Sequence, residues 1–421
     1  MWRNPDFVKL WAGQTISHFG SLVSGTALPF TAILVLGAAP LQLAFLSAAD
    51  LIAGLLVGLV AGVWVDRLRR RPILIGADMG RAVLLASVPA AAFVGLLRME
   101  HLYVVAFLTG VLTICFDVAY LSYLPALVRR EDLVEANSTL SASAAVAEVG
   151  ALGSAGWLVQ WFTAPIAVLL DALSFVCSAL LVGWIRAPEP APAGQRQNLR
   201  REIAEGLGVL WRNPLLRALA GSIVTLECSS RMVGTVILLF ASRELGFGPG
   251  FLGMVFAVGG ISSLMGALLA GRAADRFGIG PVMVAGLVGT GLGVLFVPLA
   301  HGATVLAALL LVANQLVTDP AWTIYEINQV SLRQAIIPHG LLGRVNASIR
   351  FLGLGAMLLG ALLGGVLGET VGLRATLVVG AAGMCLAAAW LALSPVRTLK
   401  VPPGAVERAP ARLASVGTAT E

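Results

Sequence analysis

Charge is what this sequence has least of. Only 12% of its 421 residues are Asp, Glu, Lys or Arg, about half the share found in a soluble globular protein. A soluble enzyme and a charge-rich disordered chain are both disfavoured by that scarcity. Cysteine is equally sparse. Cys115, Cys177, Cys228 and Cys385 all lie inside apolar runs, and none has a ligand-spaced partner. Neither a disulfide framework nor a zinc site is expected. The four histidines lack metal-ligand spacing, so no metal and no cofactor are expected. No Gly-x-x-x-x-Gly-Lys-Ser/Thr loop is present and no soluble nucleotide domain, which argues against an ATP-driven pump and against enzyme chemistry. A cleavable signal peptide is not expected. The first apolar run starts near Leu10 and continues to about Leu36, too long for a signal core.

What the chain has is apolar length. Hydrophobic residues make up 58% of it, and the mean hydropathy is +0.90. A membrane helix needs about 20 largely apolar residues, so twelve would use about 240. The runs are long and continuous. That is unlike the alternating segments of about ten residues that build an outer-membrane barrel.

Twelve spans are expected: 10–35, 41–64, 73–97, 102–127, 138–162, 165–186, 215–241, 248–271, 281–300, 303–330, 345–368 and 372–394. The fold class is therefore all-α integral membrane. The longest interruption, 187–214, begins Pro188-Glu-Pro-Ala-Pro192 and turns strongly polar. Leu199, Ile203, Leu207 and Leu210 then follow at helical spacing among Arg200, Arg201, Glu202 and Glu205. The pattern predicts a short amphipathic helix at the membrane surface. Residues 395–421 are rich in Pro, Ala and Arg and read as a mobile tail.

Basic residues set the orientation. The formal net charge is +6. In a soluble protein that would hint at nucleic acid, but here the arginines sit in short loops between apolar runs. With the N-terminus inside, 23 Lys and Arg fall on the cytoplasmic side. Three, Arg98, Arg243 and Arg374, fall outside. That bias places both termini in the cytoplasm.

The two halves repeat. Trp2-Arg-Asn-Pro5 recurs as Trp211-Arg-Asn-Pro214, and Ala61-Gly62-x-x-x-Asp66-Arg67 as Ala270-Gly271-x-x-x-Asp275-Arg276. Pro72 matches Pro281 and Asn137 matches Asn346. All four pairs keep one offset of 209 residues. The chain reads as a parallel repeat of two six-helix bundles: a first half over 1–186, a linker over 187–214, a second half over 215–394 and the tail.

Gly62-x-x-x-Asp66-Arg67-x-x-Arg70-Arg71 lies between the second and third spans. It has a weaker copy at Gly271-x-x-x-Asp275-Arg276, where Ile279 and Gly280 stand in place of the trailing arginines. On these residues the chain resembles the major facilitator superfamily, over essentially everything before the tail. Three further stretches resemble the branch holding macrolide-efflux proteins and enterobactin exporters. These are Asn4-Pro-Asp-Phe-x-x-Leu-Trp-Ala-Gly-Gln-Thr-Ile-Ser17, Tyr123-Leu-Pro-Ala-Leu-Val128 with Ala136-Asn137, and Gly343-Arg-Val-Asn346. Many drug antiporters of that family carry a Gly-Pro motif in the fifth helix. Here Gly150, Gly153 and Gly156 stand without the proline. The resemblance implies that Gly62, Asp66, Arg67, Arg70 and Arg71, echoed by Gly271, Asp275 and Arg276, form a cytoplasmic gate that latches in the outward-facing state. A plain topogenic basic loop is the alternative.

Ionisable residues inside spans are the remaining signal. A charge at the bilayer centre costs about 2.5–3.5 kcal/mol even on a mild insertion scale, so such groups pair, face a wet cavity or work. Asp78 and Arg81 are three apart in the third span and are expected to pair, as structure or as part of the gate. Glu227 and Arg231 are four apart in the seventh span, acid first, the favoured order. Asp117 and Glu326 are repeat equivalents, as are His18 and Glu227. Gln315, Asp319, Thr323, Gln329 and Arg333 run with Glu326 along one helix, and Gln14, Ser17, His18, Ser21 and Ser24 along another. Polar stripes of this kind face protein or water rather than lipid; they predict a central aqueous cavity or, alternatively, interhelical hydrogen bonding alone. Asp117, Glu326, Glu227, Arg231 and Glu148 are the proton-coupling candidates. Asp50 and Asp171 are lone acids, which hydrogen bonding alone would accommodate.

The expected function is secondary active transport. Proton-coupled efflux of hydrophobic or amphipathic small molecules by a monomer in a bacterial inner membrane is what the resemblance implies. The partners are then a small-molecule substrate, protons and the lipid bilayer, with no nucleic acid. Import or facilitated passage of a nutrient or siderophore on the same fold is one alternative. A non-transporting sensor or scaffold is another.

Overall fold

The computed structural model describes residues 4–65, 68–187, 199–338 and 341–400. Nearly all of them are helical, and no strand occurs among them. In hydrocarbon every backbone N–H and C=O must be bonded inside its own segment, which leaves the helix as the form for long apolar runs. Helices α1–α6 span Pro5–Phe30, Pro40–Val65, Arg70–Phe93, Met99–Leu127, Leu133–Phe162 and Ala164–Gly183. The linker helix α7 is Leu199–Arg212. Then come α8 (Pro214–Leu239), α9 (Pro249–Phe277), α10 (Ile279–Val294), the single turn α11 (Phe296–Leu299), α12 (Val305–Ile336), α13 (Leu342–Thr370) and α14 (Leu373–Ala392).

Among the described residues, eleven helices are long and apolar enough to cross a membrane. The two segments of α5, Leu133–Ala151 and Gly153–Phe162, are bent by 45° and make a twelfth if counted as one span. Large apolar side chains point outward, including Phe93 at 93% exposure and Leu268 at 70%, as lipid-facing helices require.

The repeat has a structural cause. Asn4 caps α1, its Oδ1 accepting from the backbone N–H of Asp6 at 3.0 Å and of Phe7 at 3.3 Å, with Pro5 in the first turn. Asn213 does the same for α8, accepting from Leu215 at 2.9 Å and Leu216 at 3.4 Å. Asn satisfies orphan N–H groups and Pro has none to satisfy, so one motif starts both halves. The correspondence continues at the far ends. A π-helical turn follows each helix, Thr31–Val35 and Phe240–Glu244. Gly37 (φ 64°) and Gly246 (φ 75°) then take the left-handed conformation, which glycine adopts without steric cost. These pairs again lie 209 residues apart. The first span therefore begins at Pro5 rather than at residue 10, because its polar first turn is a capped helix start.

Contacts divide the chain into two compact units. Unit 1 comprises Met1–Gln197, Gly234–Gly260 and Ala361–Leu373. In it α6 packs on α1 and α3, and α4 on α2 and α3, around Phe7, Leu10, Leu74, Phe116, Tyr123 and Ile185. Small residues bring α5 against α9. A Cβ at Gly156 would lie 2.8 Å from the Cα and N of Gly253, and one at Gly153 would lie 3.2 Å from Ala257 Cβ. Without side chains in the way, backbones approach to dispersion contact. On α13, a Cβ at Gly365 would lie 3.1 Å from Leu41 Cα of α2.

Unit 2 comprises Asn198–Val233, Ile261–Gly360 and Arg374–Glu421. Its α10 packs on α12, where Gly286 faces Ala321 O at 2.8 Å and Tyr325 Cβ at 3.2 Å from a built Cβ. The buried Tyr325 hydroxyl pairs with Ser222 of α8 at 2.9 Å. Helix α7 lies where the leucine spacing predicts it; Leu210 is buried, and Glu205 pairs with Arg344 of α13 at 2.7 Å.

Candidate functional site

The charged groups of unit 1 converge from three helices. Asp78 and Arg81 of α3 form a buried ion pair. The Arg81 guanidinium lies between two rings, 4.5 Å from the centroid of Phe116 on α4 and 4.1 Å from that of Phe175 on α6. It also donates to Thr113 Oγ1 at 3.3 Å. A desolvated cation between two aromatic faces gains about 2 kcal/mol or more from the ring quadrupoles. Asp117 of α4 and Asp171 of α6 are both within electrostatic reach of Arg81. Asp117 is exposed, whereas Asp171 is buried and takes a hydrogen bond from Ser174 at 3.0 Å. Asp171 therefore belongs to a cluster. It looks isolated in the sequence because 90 residues separate it from Arg81. The signal that would have found it is the recurrence of acids at similar depth in three spans.

The first polar stripe is spent partly on its own helix. Ser17 donates to Gln14 O at 3.3 Å and Ser21 to Ser17 O at 2.9 Å. Gln14, His18 and Ser21 are half-buried and Ser17 is buried. Glu148 is exposed on α5. An apolar crevice of about 830 Å³ opens between α5 and α6, floored by α1 and lined by Trp11, Phe19, Val146, Leu158 and Leu173. The sequence-predicted site residues do not line it.

In unit 2, Glu227 of α8 comes within electrostatic reach of Arg231 on its own helix and of Glu326 on α12, and Glu326 within reach of Arg333. Glu227 and Glu326 are both half-buried, so two like charges face each other, each with an arginine of its own helix in reach. A built Cβ on Gly353 of α13 would touch Glu227 Cγ at 4.0 Å. Farther along α12 the stripe is hydrogen-bonded. Asn314 donates to Gln315 Oε1 at 2.7 Å and Gln315 Nε2 to Asp319 Oδ2 at 3.1 Å. Thr323 meets Ser263 of α9 at 2.6 Å, and Ser262 donates to Gln315 O at 2.9 Å. Gln329 is buried. Part of the stripe is thus interhelical bonding, which periodicity alone does not separate from cavity lining. Asn314 is a member that the sequence reading passed over.

Of the loop motif, Asp66 and Arg67 lie outside the described residues, and Gly62 is placed only as part of α2. Arg70 opens α3. Arg71 donates to the carbonyls of Val182, at 3.3 Å, and Gly183. It therefore satisfies the last turn of α6, where a cation also complements the helix dipole. Gly271, Asp275 and Arg276 end α9, all three exposed, with Arg276 over the Phe277 ring at 5.4 Å. Beyond α4, Asn4 Nδ2 ties α1 to Leu127 O at 2.8 Å. The exposed Arg129 pairs with Asp132 at 3.1 Å and Glu131 at 2.7 Å, which hold its guanidinium above its usual range. Exposed pairs of this kind add little stability.

A multi-helix membrane protein with an internal sequence repeat, buried charge in unit 1 and half-buried charge in unit 2 has the anatomy of a transporter. Comparison with known proteins agrees. The chain is 26% identical over 388 residues to the multidrug efflux pump Tap of Mycolicibacterium fortuitum, covering 89% of this chain and 91% of that protein. It is 27% identical over 215 residues to macrolide efflux protein A of Streptococcus pyogenes, covering 51% and 53%. Its fold matches the crystal structure of a bacterial homologue of the iron transporter ferroportin in the inward-facing state, with TM-score 0.75 and 20% identity over 92% of this chain and 98% of that one. The family model described as Major Facilitator Superfamily matches residues 10–352 and 219–419, and with the twofold repeat this places the chain in that superfamily.

Proposed function

We propose that this chain is a proton-coupled exporter of hydrophobic or amphipathic small molecules, working by alternating access as a monomer in a bacterial cytoplasmic membrane, with both termini inside. The observation that carries the reading is the set of acids held within the spans. Asp117 is exposed on α4, and Glu227 and Glu326 face each other in unit 2. A carboxylate inside a membrane helix is costly and is kept where it cycles a proton. The names of the two efflux relatives, a multidrug pump and a macrolide efflux protein, support export of a small molecule.

In this reading a carboxyl open to the cytoplasm releases its proton and admits a cationic or polar substrate group. It is reprotonated from outside after export. The membrane potential supplies about 2.3 kcal/mol per charge per 100 mV before any pH gradient. In this reading Arg231 is the partner of Glu227 until substrate or rearrangement separates them, so Asp117 and Glu326 are the leading coupling residues and Glu227 the third. Glu148 is a weaker candidate. Gln14, Ser17, His18, Ser21, Gln315, Asp319, Thr323 and Gln329 line the substrate path. The gate is the Asp66 loop with its Asp275 counterpart, supported by Asp78 and Arg81. The halves 1–186 and 215–394 are the moving parts, and 187–214 is the cytoplasmic link between them.

The test is efflux of a panel of labelled macrolides, dyes and siderophores from an overexpressing strain. Lower steady-state accumulation of at least one compound, restored by collapsing the proton gradient, is expected. Unchanged accumulation across the panel, or increased uptake, would overturn the assignment.

A further inference from the structure

The offset of 209 residues makes α8 the counterpart of α1 and α14 the counterpart of α6. In unit 1 the cation at the start of α1 is spent inside the chain. Lys9 pairs with Asp6 at 2.8 Å and donates to Trp184 O, just past α6, at 2.9 Å. In unit 2 the matching residues are Leu215 for Asp6, Ala218 for Lys9 and Leu393 for Trp184, and Arg217 stands where α1 has Val8. The acid is gone and a cation remains. Arg217 is exposed, and none of the ion pairs among the described residues uses it.

Arg217 lines a crevice of about 500 Å³ between the start of α8 and the end of α14, together with Pro214, Ala218, Leu386, Trp390 and Leu393. No acid lines it. Trp390 is a fixed wall. Its ring packs on the bare backbone of Gly221, where a built Cβ would lie 2.6 Å from Cδ2, and its indole N–H donates to Thr225 Oγ1 at 3.0 Å. Leu386 is 62% exposed and Leu393 87%. The helical rise from one to the other is about 10 Å, against about 15 Å for the hydrocarbon of one leaflet, half of the bilayer core. The water end is basic. Arg212, two residues before Pro214, and Arg397, two residues past Pro395, are both exposed, and tryptophan favours the boundary between lipid and water. The crevice is therefore apolar along its depth and cationic at its mouth.

We propose that this crevice binds one anionic phospholipid of the leaflet on the linker's side, with its phosphate at Arg217 and an acyl chain along Trp390, Leu393 and Leu386. Charge and shape select that occupant together. A soluble anion would gain nothing from the apolar length, and a zwitterionic headgroup brings its own cation beside the phosphate. An anionic headgroup with a fatty chain uses both ends of the crevice. Basic pockets between membrane helices take such headgroups for this reason. None of the proposed coupling acids lines the crevice, and lipid binding there requires no transport.

Lipid titrations of the purified full-length protein, read by native mass spectrometry, test the site. Phosphatidylglycerol should bind more tightly than phosphatidylcholine with the same acyl chains. Arg217→Gln should weaken phosphatidylglycerol binding about fivefold, the worth of one basic residue at an anionic lipid surface, and leave phosphatidylcholine unchanged. Arg217→Lys, which keeps the charge, should retain most of the affinity. Arg350→Gln removes another exposed arginine, one that does not line the crevice, and should change neither lipid. Equal phosphatidylglycerol affinity in wild type and Arg217→Gln, or an equal loss from Arg350→Gln, would overturn the proposal. Displacement of phosphatidylglycerol by inorganic phosphate would make this a site for a free anion and overturn the lipid assignment. Phosphatidylglycerol binding that rises several-fold when residues 401–421 are removed would make that tail the occupant, and would overturn it too.

Discussion

Gly156→Ala is the smallest perturbation with a large expected consequence. The added Cβ would sit 2.8 Å from the Cα and N of Gly253. Carbon atoms rest at about 3.5–4.0 Å, and both partners are backbone, so no side chain can swing aside. Helices α5 and α9 must part by about 1 Å. Overpacking of this kind costs about 1–3 kcal/mol, a factor of about 5–150 in the equilibrium for forming the contact. The sign is diagnostic. On an isolated helix the same substitution stabilises by about 0.5–1 kcal/mol, so any loss reports the contact between helices. The assay uses a cysteine pair as reporter. A Cβ built on Gly260 of α9 lies 3.9 Å from Val149 Cβ of α5, within the 3.5–4.5 Å span that a disulfide needs (about 3.8 Å on average). On a background without the four native cysteines, oxidative cross-linking of Val149→Cys with Gly260→Cys should slow by about 5–150-fold when Gly156→Ala is added. Transport should fall with it. Equal cross-linking and transport with and without the alanine would refute the argument.

Three other outcomes follow from the same geometry and orientation. The Val149→Cys/Gly260→Cys disulfide should stop transport in proteoliposomes and a reductant should restore it, because alternating access requires this contact to open; transport by the fully cross-linked protein would remove that requirement. Arg200→Cys on α7 should resist an impermeant thiol reagent in intact cells and react after permeabilisation. Labelling from outside would invert the topology. Asp66→Asn should impair transport more than Asp275→Asn at matched membrane abundance, because only the first copy is followed by Arg70 and Arg71. Wild-type rates in both variants would end the gate assignment.

The number of spans was legible because runs of about 20 apolar residues have one structural solution in lipid. The offset of 209 residues was legible from short motifs, and its reason is visible only in three dimensions: Asn4 and Asn213 cap corresponding helices, and Gly37 and Gly246 make corresponding left-handed turns. Helix breaks were not legible. The bend in α5 lies among small residues without proline, and the end of α10 at Val294 interrupts what reads as one run. Pairs within one helix, such as Asp78 with Arg81, follow from three-residue spacing. The placing of Asp171 beside Arg81 does not, because Arg81 comes from α3, 90 residues away, and the residues immediately flanking Asp171 are apolar. The α12 stripe shows the limit of periodicity, since it gives a polar face but cannot say whether Ser262 and Ser263 of α9 or water will fill it.

Proton-driven transport in reconstituted liposomes tests the central claim most directly. With an imposed pH gradient and a substrate taken from the efflux panel, the wild-type protein should drive accumulation that vanishes when the gradient is collapsed. At least one of Asp117→Asn, Glu227→Gln and Glu326→Gln should lose that accumulation while keeping substrate binding or passive exchange. Wild-type, gradient-driven transport in all three variants would contradict the coupling assignment.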